Sequence, residues 1–413
     1  MAVSRGMDEA GRLLDAVARQ GRDPQKVVER LRSFAIETPS WGYADTGTRF
    51  GKFHQPAAAR TIYEKIDDAG WVHKLTGICP TMAVHVLWDF PKGFDAKVVG
   101  HAQKAGIRIG SINPNVFQSQ AYKYGSFGHR DEEVRRRAIR HCVESVGLAG
   151  AVGSDAVSLW FADGTNYPGQ DSIRARKRRF VEGLREVHAA LPAGMTMLVE
   201  YKPFEPAFYH TDIADWGMAY LMARAAGPQA RVLVDTGHHY ASQNIEQIVA
   251  WLIDEEMLGG FHFNDRRYAD DDLTLGSIDP YQAFRIFFEI VSAEEEAGRR
   301  LPIAYMVDQS HNLKPKIEAM IQTATTAHEL LAKALLVDLK ALRDAQSRDD
   351  LVGAEEVLRG AFFTDTRPLI GQVREEMGLE ADAVAAHRSS GYEARAAKER
   401  TARHGSPGEA SYA

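Results

Sequence analysis

MTMLVEYK (195–202), RVLVDTGHH (231–239), GGFHFN (259–264) and PIAYMVDQS (302–310) are built alike. Each is a short apolar run that ends on a group able to bind a metal: Glu200, Asp235, His262 and Asp308 in turn. Runs of this length, rich in branched and aromatic residues, read as strands. Helix-like segments separate them, at about 213–226, 243–256 and 280–298. The same alternation continues upstream. Apolar runs at 82–88, 107–112 and 156–161 are followed by helical patterns at about 94–105, 131–150 and 170–190. With Ser33–Ile36 the runs number eight. Strands that alternate with helices pair in parallel through right-handed crossovers. Eight such units predict a closed (β/α)8 TIM barrel. A doubly wound open sheet competes, but no Gly-x-Gly-x-x-Gly turn follows the first strand.

The barrel is expected over residues 1–311, with an N-terminal helix at 7–32 and a lid loop at 38–56. That loop, TPSWGYADTGTRFGKFHQP, has no clear period, and long loops in compact domains are often functional. Residues 312–413 read as a C-terminal helical extension, with a frayed tail from about 380.

Composition narrows the function. A formal net charge of −6 argues against a nucleic-acid partner, which wants a basic face. Two cysteines, Cys79 and Cys142, cannot make a disulfide framework and favour a reducing compartment. No apolar run approaches the roughly 18–20 residues of a membrane span. The N-terminal MAVSRGMDEAGRLLDAVARQ lacks a signal-peptide core, so a cytoplasmic location is expected. Neither a Gly-x-Ser-x-Gly elbow nor a phosphate-binding glycine loop is present, which disfavours serine hydrolases and P-loop enzymes.

In a barrel, the chemistry sits at the C-terminal strand ends. Adjacent strands lie about 4.8 Å apart, so Glu200, Asp235, His262 and Asp308 can be aimed at one point. One acid at a strand end is as readily a helix cap or a surface charge; four ligand-type groups on consecutive strands are not. Three converging carboxylates repel one another, and a divalent cation removes the repulsion. Oxygen-rich ligation with one imidazole suits Mn²⁺, Mg²⁺ or Co²⁺. His238, three residues past Asp235, together with Asp270 and Asp272 in YADDD, can close a second site beside the first. Two cations a few ångström apart would clamp two neighbouring substrate oxygens. Lys202 shares a strand face with Glu200. It can pair with a carboxylate or donate to a substrate oxygen gaining negative charge. Trp41 in the lid, His85 and Trp88 after the second run, and Trp160 after the fourth offer aromatic faces at the mouth. Such faces suit sugar C–H surfaces, although each alone is also ordinary core packing.

These residues resemble a known family: the sugar isomerases of the xylose isomerase-like barrels, nearest to L-rhamnose isomerases of the broad-specificity bacterial type. The resemblance spans about 33–330 and rests on TPSWGYADTGTRF, LWFADGTNYPGQD, VEYKPFEPAFY, VLVDTGHH, GGFHFN and YADDDL, in that order. It implies a metal-dependent aldose–ketose isomerase that converts L-rhamnose to L-rhamnulose and accepts other aldoses, by 1,2-hydride shift or through a cis-enediol. Two divalent ions are implied, Mn²⁺ first, with Mg²⁺, Co²⁺ or Zn²⁺ as alternatives. Glu200, Asp235, His262 and Asp308 would hold one; Asp235, His238, Asp270 and Asp272 would hold the other. His85, Trp88, Trp160 and Lys202 would line the sugar pocket. Ser310 would act beside a water near Asp308. A homotetramer is implied, in which Phe50 reaches a neighbouring subunit's site. Arg266-Arg267-Tyr268 departs from the family pattern by being unusually basic beside the second site. The rival readings are a metal-dependent ketose 3-epimerase, a barrel phosphodiesterase or endonuclease, and a non-catalytic sugar-binding barrel.

Overall fold

A computed structural model describes residues 2–48, 51–165, 167–205, 209–310 and 313–406. Eight strands form one sheet in chain order: β1 (Thr38–Pro39), β2 (Thr81–His85), β3 (Arg108–Asn113), β4 (Ala156–Leu159), β5 (Thr196–Glu200), β6 (Ala230–Asp235), β7 (Leu258–Phe263) and β8 (Ala304–Val307). Every pairing between them is parallel. The sheet closes through Glu37, whose N–H donates to Tyr305 O (2.8 Å) and whose carbonyl accepts from Val307 N (2.9 Å). This is the TIM barrel read from the sequence.

The strands are apolar on both faces because helices cover the outside and side chains fill the inside. Side chains on a strand alternate. On β5, Met197 and Val199 join the large core beneath the helices, whereas Leu198 belongs to a separate interior cluster with Ala156, Leu233 and Met306. The parity that sends Leu198, Leu233 and Met306 inward sends Glu200, Asp235 and Asp308 inward two residues later. An apolar plug thus lies under a polar layer. The covering helices begin at side-chain caps: Thr61, Asp131, Ser172, Asp215, Asn244 and Asp279 each accept from a first-turn N–H. Each cap is worth about 1 kcal/mol.

Four features differ from the sequence reading. The first ladder residues are 37–39, not 33–36; Phe34 and Ile36 are instead core residues in the approach to the barrel. The single N-terminal helix is two, Ala2–Arg19 and Pro24–Arg32, broken at Gly21 (φ +78°) and restarted by the Asp23 cap with Pro24 behind it. Helix Lys316–Leu335 packs against Pro280–Ala297 and Ile62–Thr76, which is the place of the eighth barrel helix rather than of an appendage. The tail from 380 is not frayed over its described part. Ala383–Ser390 and Tyr392–His404 are helices docked on Ile62–Thr76, with the Tyr392 ring stacked on Trp71 at 4.6 Å and Arg400 paired with Asp68 at 2.7 Å. Among the described residues no helix is long and apolar enough to cross a membrane.

Candidate metal centre

Glu200, Asp235, His262 and Asp308 meet at the C-terminal mouth, each offering a ligand atom within 4.8 Å of the others. His262 Nδ1 lies 3.1 Å from Glu200 Oε1, 3.8 Å from Asp308 Oδ2 and 3.9 Å from Asp235 Oδ2. A second group shares Asp235. His238 Nε2 stands 3.8 Å from Asp235 Oδ2 and 3.5 Å from Asp270 Oδ1. Asp235 is fully buried. Asp272 belongs to neither group. It adopts a left-handed backbone (φ 49°) and accepts a hydrogen bond from Ser310 Oγ.

Neighbours fix the orientation of these side chains. Asp235 Oδ1 accepts from Asn264 Nδ2 (3.0 Å) and Gly237 N (2.6 Å). Position 237 takes glycine because a Cβ there would fall 2.5 Å from Asn264 Oδ1. His238 Nδ1 donates to Tyr201 O (2.9 Å), which leaves Nε2 as the nitrogen facing the acids. Trp41 Nε1 donates to Asp308 Oδ1 (2.7 Å), and Lys202 Nζ to Asp270 Oδ2 (2.7 Å).

The acids form one wall of a cavity of about 170 Å³. Along the same cavity runs an aromatic arc in which neighbouring ring centroids lie close: Trp41–His85 4.6 Å, His85–Trp88 4.1 Å, Trp88–Phe117 5.8 Å and Phe117–Trp160 5.0 Å. Lys202 Nζ sits 5.2 Å over the Trp160 ring. Trp41, His85, Trp88, Trp160, Lys202 and Ser310 therefore all line the cavity with the ligand groups, and Asp235 lies beneath it. Phe50 lies outside the described residues.

A family model for the xylose isomerase-like TIM barrel matches residues 83–303. The chain belongs to this family. It is 41% identical, over 98% of its own length and 95% of the other's, to a protein of Rhizobium meliloti (strain 1021) named "Probable sugar isomerase". A xylose isomerase of Thermus thermophilus is 23% identical over 58% of this chain and 66% of that one. Among solved structures, a D-allulose 3-epimerase from Methylomonas sp. superposes with a TM-score of 0.52 at 15% identity, over 73% of this chain and 98% of that one. At that identity the likeness is one of fold.

The electrostatics of this xylose isomerase-like barrel fit a cation. Burial, then the Asp308 and Glu200 carboxylates, push Asp235 up to about 7 against the pull of His238. Burial lowers His262, yet Glu200 and Asp308 raise it to about 9; burial likewise opposes the rise of His238 to about 10, driven by Asp235 and Asp270. The imidazoles thus take up protons to balance the acids, on the nitrogens that a metal would use. Asp270 Oδ1 is buried and makes no hydrogen bond among the described residues. A divalent ion in each group would replace those protons and satisfy that oxygen, and the donor sets (Glu, two Asp and one His; two Asp and one His) suit a hard or borderline metal.

Arg266 does not enter the site. It is buried, and it donates to His239 O (2.8 Å) and Gln282 Oε1 (3.2 Å), bracing the loop that carries His238. Tyr268 is 91% exposed. Asp271 accepts from the 267 and 268 backbone N–H groups, so within DDD the middle acid shapes the loop and its neighbours face the cavity. Sequence reasoning missed Asn113, Phe117 and Ser158 on the cavity wall. Their sequence signal is weak: a strand-end INPN (112–115), a loop aromatic, and a serine inside an apolar run.

Proposed function

We propose that the protein is a metal-dependent aldose–ketose isomerase, with L-rhamnose to L-rhamnulose as the leading substrate pair and other aldoses accepted. The observation that carries this reading is the pair of ligand groups joined at Asp235 and lining one sugar-sized cavity together with aromatic rings. Two divalent ions, Mn²⁺ foremost, would be held by Glu200, Asp235, His262 and Asp308, and by Asp235, His238 and Asp270. When bound, they would supply Lewis-acid polarisation of the carbonyl and a grip on two adjacent sugar oxygens. By resemblance, the working unit is a homotetramer with Phe50 at a neighbour's site.

The chain's own groups do the rest. The arc from Trp41 to Trp160 packs the sugar's C–H faces and keeps water from the reacting carbons. His85 is pushed down to about 3 by burial and then by the charges of His262 and Lys65, so it stays neutral beside the substrate. Lys202, steadied by Asp270, donates to the oxygen that gains negative charge. Hydrogen passes between C1 and C2. An enediol route needs a base at those carbons. Asp272 is the lining carboxylate outside both ligand groups, and burial, then Asp270 and Asp308, push it well above the usual range while Ser310 bonds it. Among the described lining residues every other carboxylate belongs to a ligand group, so the hydride shift, which needs no base, is the favoured route. A metal-dependent 3-epimerase is the alternative, and it needs acid and base on opposite faces of one carbon.

The test is to strip the protein with EDTA, reload it with Mn²⁺ and incubate it with a panel of aldoses in H₂O and in D₂O. Ketose products that need metal and carry little solvent deuterium are expected. Products epimerised at C3, or phosphodiester cleavage in place of sugar turnover, would overturn the reading. Lys202→Met should lower kcat by about 10²–10³-fold, the scale of one lost oxyanion donor, with a smaller change in KM.

A further inference from the structure

In the cavity lining outside the two ligand groups, three buried polar atoms make no hydrogen bond among the described residues: His85 Nδ1, Ser158 Oγ and Trp160 Nε1. A buried donor left without a partner is costly, so such atoms in a cavity wall mark where a ligand's polar groups belong. Ser158 is the most telling of the three. It is 2% exposed and sits on β4, in register with Leu198 of β5. Strand parity places it between Ala156, in the apolar plug, and Trp160, in the aromatic arc. It is thus a polar side chain set at the floor of the cavity, where an alanine would serve packing equally well.

We infer that Ser158 is a specificity-determining residue: its Oγ, with Trp160 Nε1 above it, anchors one hydroxyl of the open-chain sugar beyond the two oxygens gripped at the acid wall, and so selects the configuration at that carbon. The inference rests on the sugar reading of the site and extends it to the distal end of the substrate. Ser158 orients the sugar and takes no part in hydrogen transfer.

The experiment uses the Mn²⁺-loaded protein and the alditol of whichever panel aldose is turned over fastest, together with its singly deoxygenated analogues at C3, C4 and C5. Binding is followed by calorimetry and by quenching of tryptophan fluorescence, since Trp41, Trp88 and Trp160 line the cavity. In the wild-type protein, one deoxy analogue should bind about 10–100-fold more weakly than its parent, the range expected when a buried hydrogen-bonding group loses its partner. In Ser158→Ala that one ratio should shrink to within about threefold and the other ratios should hold. An unchanged ratio, or an equal weakening of every ligand, overturns the inference, because Ser158 then bonds only water or serves packing. If aldoses are isomerised but the ratio persists, Ser158 alone is excluded. If no aldose is turned over and no alditol binds, the sugar reading falls and takes the inference with it.

Discussion

Asp235→Asn should lower kcat/KM by about 10³-fold or more while leaving the far-ultraviolet circular dichroism unchanged, a loss at the upper end of what one preorganised electrostatic group supplies. Asp235 is the residue both ligand groups share, so one substitution weakens both. The fold has little reason to suffer. The residue is isosteric, and Asn264 and Gly237 still meet an oxygen at Oδ1. Asp235 stands at about 7 in the folded chain against an ordinary 3.8, held up first by burial and then by its carboxylate neighbours. Between those values the folded state keeps a proton that the unfolded state releases, so stability falls as pH rises through the window and levels off above about 7. Asparagine has no proton to lose there. Thermal melts in EDTA at pH 5 and pH 8 should show a drop for the wild type and a smaller one for the variant. Adding Mn²⁺ should raise the wild-type midpoint at pH 8 and move the variant less. Near-normal turnover by Asp235→Asn would exclude a shared ligand.

The order of these elements was legible because strand parity and the placement of charge reinforce each other. An apolar run that ends on an acid says both where the strand stops and which face looks inward; Leu198 with Glu200, Leu233 with Asp235 and Met306 with Asp308 repeat that statement on three strands. His238 and Asp270 followed from short offsets to Asp235 and His262. Sequence could not show what depends on loop torsion or on distant partners. Asp272 left the second ligand group because its left-handed backbone turns it towards Ser310. The first strand was misplaced because a two-residue ladder completed by Glu37 has no period to detect. Phe117 and Ser158 carry no charge to draw attention, and they become site residues only when the barrel closes. The C-terminal helices hold on through polar contacts spanning more than 300 residues of chain, such as Tyr392 and Arg400 on Asp68, to which helical periodicity is blind.

That last contact is a strong determinant of stability. Arg400→Met should cost about 3–5 kcal/mol at pH 8.5, the usual loss when one partner of a buried ion pair is removed. Arg400 Nη2 bonds Asp68 Oδ1 at 2.7 Å, and both side chains are almost fully buried. Burial pushes Asp68 up to about 7 even with Arg400 and Tyr392 in place, so without the guanidinium the carboxyl rises further. A folded-state value above the unfolded one favours the protonated fold. The variant therefore loses less at pH 6, where Asp68 is neutral and the bonds lost are chiefly those to Ala57 O and Glu64 O, and progressively more as pH rises through and beyond 7. Asp68→Asn should restore most of the lost stability in the Arg400→Met background, because the stranded charge is then gone. The consequence should reach the active site. Helix Ile62–Thr76 also carries Lys65, whose Nζ bonds Asp89 Oδ1 at 2.6 Å, and Asp89 in turn accepts from Ser40 Oγ (2.6 Å) and His85 N (2.9 Å). Ser40 precedes Trp41, and His85 is its ring neighbour in the aromatic arc. Loosening the helix should thus raise KM at pH 8.5 more than it lowers kcat. Melting curves and kinetics at pH 6 and 8.5 check both parts. Equal destabilisation at the two pH values would mean that Arg400 holds the tail by packing and by its bonds to the Ala57 and Glu64 carbonyls, not through the Asp68 charge.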